Sequence, residues 1–102
     1  MKAFILSPEA ERDLDAIKAY LLKEAGLQIT RHVMRELRAG IRFIAKNPEA
    51  GHVREDLTAE SVKFWPVFSY LIVYSQESKP VEIARVLHGK RDVGEILERS
   101  HQ

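Results

Sequence analysis

The sequence predicts an α+β domain with two layers, a helical hairpin packed on a small antiparallel sheet. Two observations predict this fold class. Two consecutive segments carry apolar residues at spacings of three and four, which is typical of amphipathic helices. Three later runs, rich in β-branched and aromatic residues, are separated by short polar segments, which is typical of strands. With 102 residues, the chain is expected to form a single domain over residues 1–102, in the order β-α-α-β-β-β with a short C-terminal helix.

The first helix has a well-defined start. Residues 2–6 form an apolar run that predicts a short strand, and Ser7 and Pro8 follow it. Serine is a favoured N-cap, and proline fits the first helical position because its missing N–H has no helical partner there. The helix is expected to end near Gly26. Its apolar stripe consists of Ala10, Leu14, Ile17 and Leu21.

The second helix follows after a short connection and is expected to end at Asn47-Pro48. Its apolar stripe consists of Ile29, Val33, Leu37, Ile41 and Ile44. The opposite face carries an arginine row, which consists of Arg31, Arg35, Arg38 and Arg42. This row has two interpretations: a solvated helix face, for which acidic residues of the first helix are candidate partners, or a surface that meets an acidic partner segment or a nucleic-acid backbone.

The second half of the chain is predicted to form a polar loop followed by strands. The loop covers residues 47–61, the strands are predicted at residues 62–67, 70–75 and 81–88, and a short final helix is predicted at residues 91–99. Short connections between the strands predict an antiparallel meander. The run Tyr70–Tyr74 is apolar on both faces, which indicates a central strand that is covered on both sides or borders a partner.

Composition excludes several classes of function. The chain has no cysteine, which excludes disulfides and cysteine-based zinc sites and favours a reducing compartment, so the cytoplasm is expected. The four histidines, His32, His52, His88 and His101, have no spacing that brings two onto one metal, so no metal site and no cofactor are expected. The formal charge of +1 gives little attraction for polyanions, and the apolar run before Ser7 is too short for a membrane span.

Several segments carry a family resemblance: Leu6–Ala10, Asp13–Leu14, Asn47–Gly51, Phe64–Tyr74 and, most specifically, Arg85–Asp92. Over nearly its whole length the chain resembles ParE toxins of the RelE/ParE superfamily. One departure is Phe68-Ser69 before Tyr70, where many relatives have Gly-Arg, so a basic group of that turn is missing here.

This resemblance implies a function as well as a RelE-like fold. It implies the toxin of a type II toxin–antitoxin pair, of the kind associated with plasmid stabilisation and growth arrest, which binds DNA gyrase without being an enzyme. It also implies a ParD-like antitoxin, encoded beside the toxin, that neutralises it in a hetero-oligomeric complex and makes the only DNA contact.

Candidate binding residues fall in two groups. The charged turn after the last strand suits target recognition because a strand end is accessible and rigidly held, and the expected target-binding residues are Arg85, His88, Lys90 and Arg91. An antitoxin segment is expected to wrap the helical hairpin and the sheet edge through Leu14, Ile17, Leu21, Arg31, Arg35, Trp65, Tyr70 and Tyr74. For the aromatic residues of this second group, core packing and base stacking remain alternatives.

A second branch of the superfamily cleaves mRNA on the ribosome and needs a base, an acid and cations. Alignment on this chain gives Leu71 where that branch has arginine and Leu97 where it has tyrosine, while Lys63 and Arg91 remain. An endonuclease that uses His88, Lys90 and Arg91 is therefore the alternative to gyrase binding. A non-toxic scaffold or corepressor that acts with its antitoxin is the other.

Overall fold

The computed structural model describes residues 3–58, 61–89 and 96–97. The elements in chain order are β1 (Phe4–Leu6), α1 (Pro8–Glu24), α2 (Leu27–Lys46), a one-turn 3-10 helix (Pro48–Ala50), β2 (Lys63–Val67), β3 (Tyr70–Ser75) and β4 (Val81–His88). The predicted α+β order of these elements is confirmed. The predicted final helix lies largely outside the described residues, which include only Ile96 and Leu97 of it.

The strands form one four-stranded sheet in the order β1-β4-β3-β2. Strands β2, β3 and β4 make the predicted antiparallel meander. Strand β1 pairs in parallel with the first half of β4, with Phe4 opposite Val81 and Leu6 opposite Ile83, so the sheet as a whole is mixed and not purely antiparallel. Turn chemistry in the sequence specifies only neighbouring strands, whereas both helices, a loop and two strands separate β1 from β4 in the chain.

Ser7 fixes the start of α1 and also ties it to β4. Its Oγ accepts a hydrogen bond from the Ala10 N–H at 3.0 Å, which confirms the predicted N-cap. The same hydroxyl donates to the carbonyl oxygen of Ala84 at 2.7 Å, and the Ser7 N–H donates to the carbonyl oxygen of Ile83 at 3.0 Å. A single residue therefore caps the helix and extends the hydrogen bonding of β4 beyond the end of β1.

The hairpin turn is only two residues long, because Gly26 adopts a positive φ of 87° that places α2 directly after α1. The predicted apolar stripe of α2 is confirmed in its second half but is wrong at Ile29, which is 52% exposed. The buried residues of the helix are Thr30, Met34, Leu37, Gly40, Ile41 and Ile44. A step of four residues is slightly more than one helical turn, so a stripe of residues spaced by four moves gradually off the buried face of α2. Thr30 takes the buried position instead of Ile29, and its hydroxyl donates a hydrogen bond to the Gly26 carbonyl at 2.7 Å.

The sheet is apolar on both faces. One face packs against the two helices through a cluster that includes Leu37, Ile41 and Ile72. The opposite face carries a smaller group, called here the far-face cluster, whose buried members are Phe64, Val73, Leu87 and Leu97. Residues of β3 contribute to both clusters, which confirms the prediction of a covered central strand.

Candidate partner-binding site

A largely buried ion pair joins α1 to the second half of β4. Arg85 donates from Nε to Oδ2 of Asp13 at 2.7 Å and from a terminal guanidinium nitrogen to Oδ1 at 2.8 Å, while the Val86 N–H donates to the same carboxylate at 2.9 Å. The two side chains are only 18% and 15% exposed. The hydrogen bonds to Asp13 are the main cause that raises the pKa of Arg85 above its ordinary value, against the opposing effect of burial. The carboxylate thus holds both a side chain and the backbone of β4.

An irregularity in β4 lies at this ion pair. Val73 pairs with Arg85 and Tyr74 pairs with Ile83, so Ala84 is an extra residue in the strand. Such a bulge interrupts the alternation of side chains and can redirect one of them. The Ala84 carbonyl accepts a hydrogen bond from the Ser7 hydroxyl, and the next residue, Arg85, donates to Asp13. Both residues of β4 are therefore bonded to α1 or to its N-cap.

A cleft of about 410 Å³ opens beside the ion pair, between α1 and the ends of β3 and β4. We call it the α1–β4 cleft; its lining consists of Asp13, Ala16, Ile17, Tyr20, Tyr70, Val86, Leu87 and His88. Tyr70 and His88 are cross-strand neighbours whose rings meet edge to face with centroids 5.4 Å apart. Burial, with a smaller contribution from Tyr20, raises the pKa of Tyr70.

The expected target-binding residues are placed as follows. Arg85 is committed to Asp13. His88 is half-buried at the end of β4 and lines the α1–β4 cleft. Lys90 and Arg91 lie outside the described residues.

The residues expected to contact an antitoxin do not share one surface. Arg31 and Arg35 are exposed on α2, whereas Ile17, Leu21 and Tyr70 belong to the buried helix-side cluster, with Ile17 and Tyr70 reaching the α1–β4 cleft. Leu14 and Trp65 are half-buried.

Tyr74 contradicts the expectation of an exposed binding residue. It is 0% exposed, and its hydroxyl donates to the Pro48 carbonyl at 2.7 Å and accepts from the Gly51 N–H at 2.9 Å. A Cβ atom at Gly51 would overlap this hydroxyl, so the loop after α2 is shaped around it. Burial raises the pKa of Tyr74. Tyr74 is a core residue that offers no surface to a partner.

Comparison with known proteins decides the family. A family model described as the ParE toxin of the type II toxin–antitoxin system parDE matches residues 4–93. The chain belongs to the ParE toxin family. Toxin ParE1 of Caulobacter vibrioides is 36% identical over 88 residues, which cover 86% of this chain and 90% of that relative. A solved structure of the chromosomal ParDE system from P. aeruginosa superposes with a TM-score of 0.72 at 17% identity, covering 86% of this chain and 96% of that one, and shows the same fold.

In this ParE-family protein, the two positions that differ from the nuclease branch lie on the far face of the sheet. Leu97 is buried in the far-face cluster, and Leu71 packs against that cluster from β3. Lys63 is half-buried and directs its ammonium toward the Glu49 carbonyl at 3.4 Å. Across residues 3–58, 61–89 and 96–97, no group of three histidines or carboxylates is arranged to hold a metal ion, and no helix is long and apolar enough to cross a membrane.

The structure also contains a groove on the helical hairpin, most of whose lining residues were not among the predicted binding residues. The hairpin groove, about 400 Å³ in volume, is bounded by α1, α2 and β1. Its apolar floor consists of Phe4, Leu6, Leu14, Met34 and Ile41, and its charged margins consist of Glu11, Asp15 and Lys18 on α1 and Arg38 and Arg42 on α2. Of the residues expected to bind an antitoxin, only Leu14 lies in it. The acidic bias of the first helix was the available signal, because Glu11 and Asp15 are four residues apart and share a helix face.

Proposed function

We propose that this protein inhibits DNA gyrase by binding it and that a ParD-like antitoxin, encoded beside it, neutralises it in a hetero-oligomeric complex. The observation that supports binding without RNA cleavage is the apolar packing of Leu71 and Leu97. Membership of the ParE family supports the remainder. Gyrase acts on the chromosome, so the proposal places the toxin in the cytoplasm.

The chemistry of RNA cleavage explains why these leucines matter. Attack by a 2′-hydroxyl needs a base to remove its proton, an acid to protonate the leaving oxygen, and a cation to stabilise the phosphorane-like charge. A leucine side chain can neither exchange a proton nor carry charge. Because Leu71 and Leu97 pack among Phe64, Val73 and Leu87, this part of the sheet serves as a core. A protein that binds its target without cleaving RNA needs none of the missing groups.

The end of β4 is the proposed target-binding surface. His88 closes the strand and Lys90 and Arg91 follow it in the sequence, so two cations come directly after a rigid strand end. Arg85 contributes indirectly, since its ion pair with Asp13 fixes the second half of the strand to α1. Asp13 and Arg85 are therefore positioning residues in this proposal.

The α1–β4 cleft suggests how neutralisation works. Ile17 and Tyr70, expected to meet the antitoxin, line the same cleft as His88, expected to meet the target. An antitoxin side chain seated in this cleft would cover His88. Neutralisation is therefore proposed to act by direct occlusion of one edge of the target-binding surface, while operator DNA is contacted by the antitoxin alone.

A supercoiling assay with purified gyrase and purified toxin tests the proposal. We expect inhibition that increases with toxin concentration and is abolished by the antitoxin and by the double substitution Lys90→Ala/Arg91→Ala. In cells, induction of the toxin should stop incorporation of labelled thymidine before that of labelled methionine. Earlier loss of methionine incorporation with cleaved mRNA would establish the nuclease function, and unimpaired growth with intact antitoxin binding would establish a scaffold.

A further inference from the structure

The turn between β2 and β3 presents an aromatic ring at its tip. Phe68 and Ser69 alone connect the two paired strands, so they form a two-residue hairpin turn. Phe68 has a φ of +54°, and a hairpin turn with a positive φ at its first central position favours glycine there. A phenylalanine in this conformation is strained, because its Cβ atom crowds the following carbonyl oxygen. Glycine would form the turn at lower cost, so turn formation does not explain this residue.

Burial does not explain Phe68 either. The residue is 60% exposed, so its ring adds little to the core. The ring lies near the imidazole of His32 on α2, with centroids 5.7 Å apart and planes inclined by 48°. This contact restrains the ring while most of the residue stays exposed, which leaves a pre-oriented aromatic surface. A strained residue that contributes little to stability is the kind of local exception expected at a functional position.

A hydrogen bond fixes this turn to the end of β4. The Gly89 N–H, directly after His88 closes the strand, donates to the Ser69 carbonyl at 2.7 Å. A Cβ atom at Gly89 would lie 3.2 Å from that carbonyl, so the missing side chain permits the close approach. The residue after the turn, Tyr70, pairs with His88. The Phe68 ring is therefore held beside the strand end that is proposed to bind the target.

We infer that Phe68 is an anchor residue of the target-binding surface, and that its ring enters an apolar pocket on a folded protein target. The ring projects from a turn, so its partner has to supply a cavity; a large folded enzyme offers one, whereas a short wrapping segment does not. Lys90 and Arg91 follow Gly89 in the sequence, so carboxylates are expected at the margin of that pocket. The inference rests on the proposed function in naming gyrase as the protein that carries the pocket.

Phe68→Gly separates this role from a structural one, because the substitution removes the ring and also relieves the strain. We expect the variant to unfold at the same or a higher temperature, yet to bind gyrase at least about tenfold more weakly in surface plasmon resonance without DNA. Supercoiling inhibition should weaken in parallel. Phe68→Leu keeps an apolar side chain at the tip of the turn and should retain part of the affinity.

Val53→Ala is the matched control. Val53 is an apolar residue of equal exposure, at 61%, and it follows His52, which pairs with Phe64 and not with the turn. Its truncation should leave gyrase affinity within about twofold of wild type. Antitoxin affinity, measured by calorimetry, should be unchanged in every variant, because neither the α1–β4 cleft nor the hairpin groove is lined by Phe68.

Growth arrest on induced expression tests the anchor independently of the identity of the target. Arrest by the wild type without gyrase binding, abolished by Phe68→Gly, would refute gyrase as the target and assign the anchor to another protein. Full arrest or unchanged gyrase affinity with Phe68→Gly would overturn the inference, as would an equal loss with Val53→Ala. Weaker antitoxin binding by Phe68→Gly would assign the ring to the antitoxin instead. A wild type that neither binds gyrase nor arrests growth would overturn both proposals.

Discussion

Helix α1 carries carboxylates on two faces, and the two faces behave differently. Asp13 points to β4, where it is largely buried and holds the Arg85 guanidinium and the Val86 N–H. Glu11 and Asp15, each two residues away, stand on the margin of the hairpin groove, and neither forms an ion pair in the described part of the chain. The same kind of group therefore stabilises the fold on one face and remains available to a partner on the other. Burial and a committed donor, not residue type, separate the two roles.

The largest effect is expected from Asp13→Ala. The substitution leaves Arg85 mostly buried without its carboxylate and removes the acceptor of the Val86 N–H, which should lower the free energy of unfolding by about 3 kcal/mol. Asp15→Ala on the groove side should change it by less than about 0.5 kcal/mol. Urea unfolding of both variants measures the difference, and equal losses would remove the distinction between the two faces.

A neutral counterpart of the buried ion pair is the Tyr74 hydroxyl, which contacts Pro48 and Gly51. Tyr74→Phe removes one donor and one acceptor and should destabilise the protein by about 1 to 2 kcal/mol, less than Asp13→Ala because no charge is left buried. Thermal unfolding provides the measurement. A loss as large as that of Asp13→Ala would mean that hydrogen bonding, and not charge, dominates at both sites.

Salt should separate the two faces further. Near 1 M NaCl the Debye length falls to about 3 Å, which screens exposed charges much more than buried ones. Any effect of Asp15→Ala on stability should disappear, while the stability difference between wild type and Asp13→Ala should hardly change. Urea unfolding at two salt concentrations makes the comparison; an Asp13→Ala effect that falls strongly with salt would mean that burial does not protect the ion pair.

A small stabilising effect is expected at the turn between β2 and β3, which leads into Tyr70 of the α1–β4 cleft. Phe68 has a φ of +54° and is 60% exposed, so a bulky side chain occupies a left-handed conformation at the position where the resemblance suggests glycine. Phe68→Gly should stabilise the protein by roughly 0.5 to 1 kcal/mol, because relief of strain exceeds the lost contact with His32. A destabilised variant in thermal unfolding would show that the ring contact matters more.

Local signals made much of the fold predictable. The start of α1 at Ser7 and Pro8, the short hairpin connection at Gly26 and the strands of the meander depend on residues close together in the chain. The parallel pairing of β1 with β4 depends on packing between distant segments, which no local pattern encodes.

The candidate site was less predictable for the same reason. Asp13 and Arg85 are 72 residues apart, so the sequence shows two charged residues but not their ion pair. Tyr74 belongs to a strand whose pattern suits both core and interface, and only its packing in the helix-side cluster and against the loop at Gly51 shows that it is buried. The groove required knowledge of how α1 and α2 lie together, because its acidic margin is on α1 and its basic margin is on α2.

The hairpin groove has a direction because its two rims carry opposite charges, with Glu11 and Asp15 on the α1 rim and Arg38 and Arg42 on the α2 rim. Turning a bound helix end for end, with its apolar stripe still on the floor, exchanges its left and right flanks. A helix with one acidic and one basic flank therefore matches the rims in one orientation and opposes them in the other. A helix bound in the matching orientation would leave the groove with one defined end beside the Gly26 connection and the other beside the start of α1. If that helix were connected to a DNA-binding domain, the two pairs of rim charges would determine on which side of this protein the domain lies.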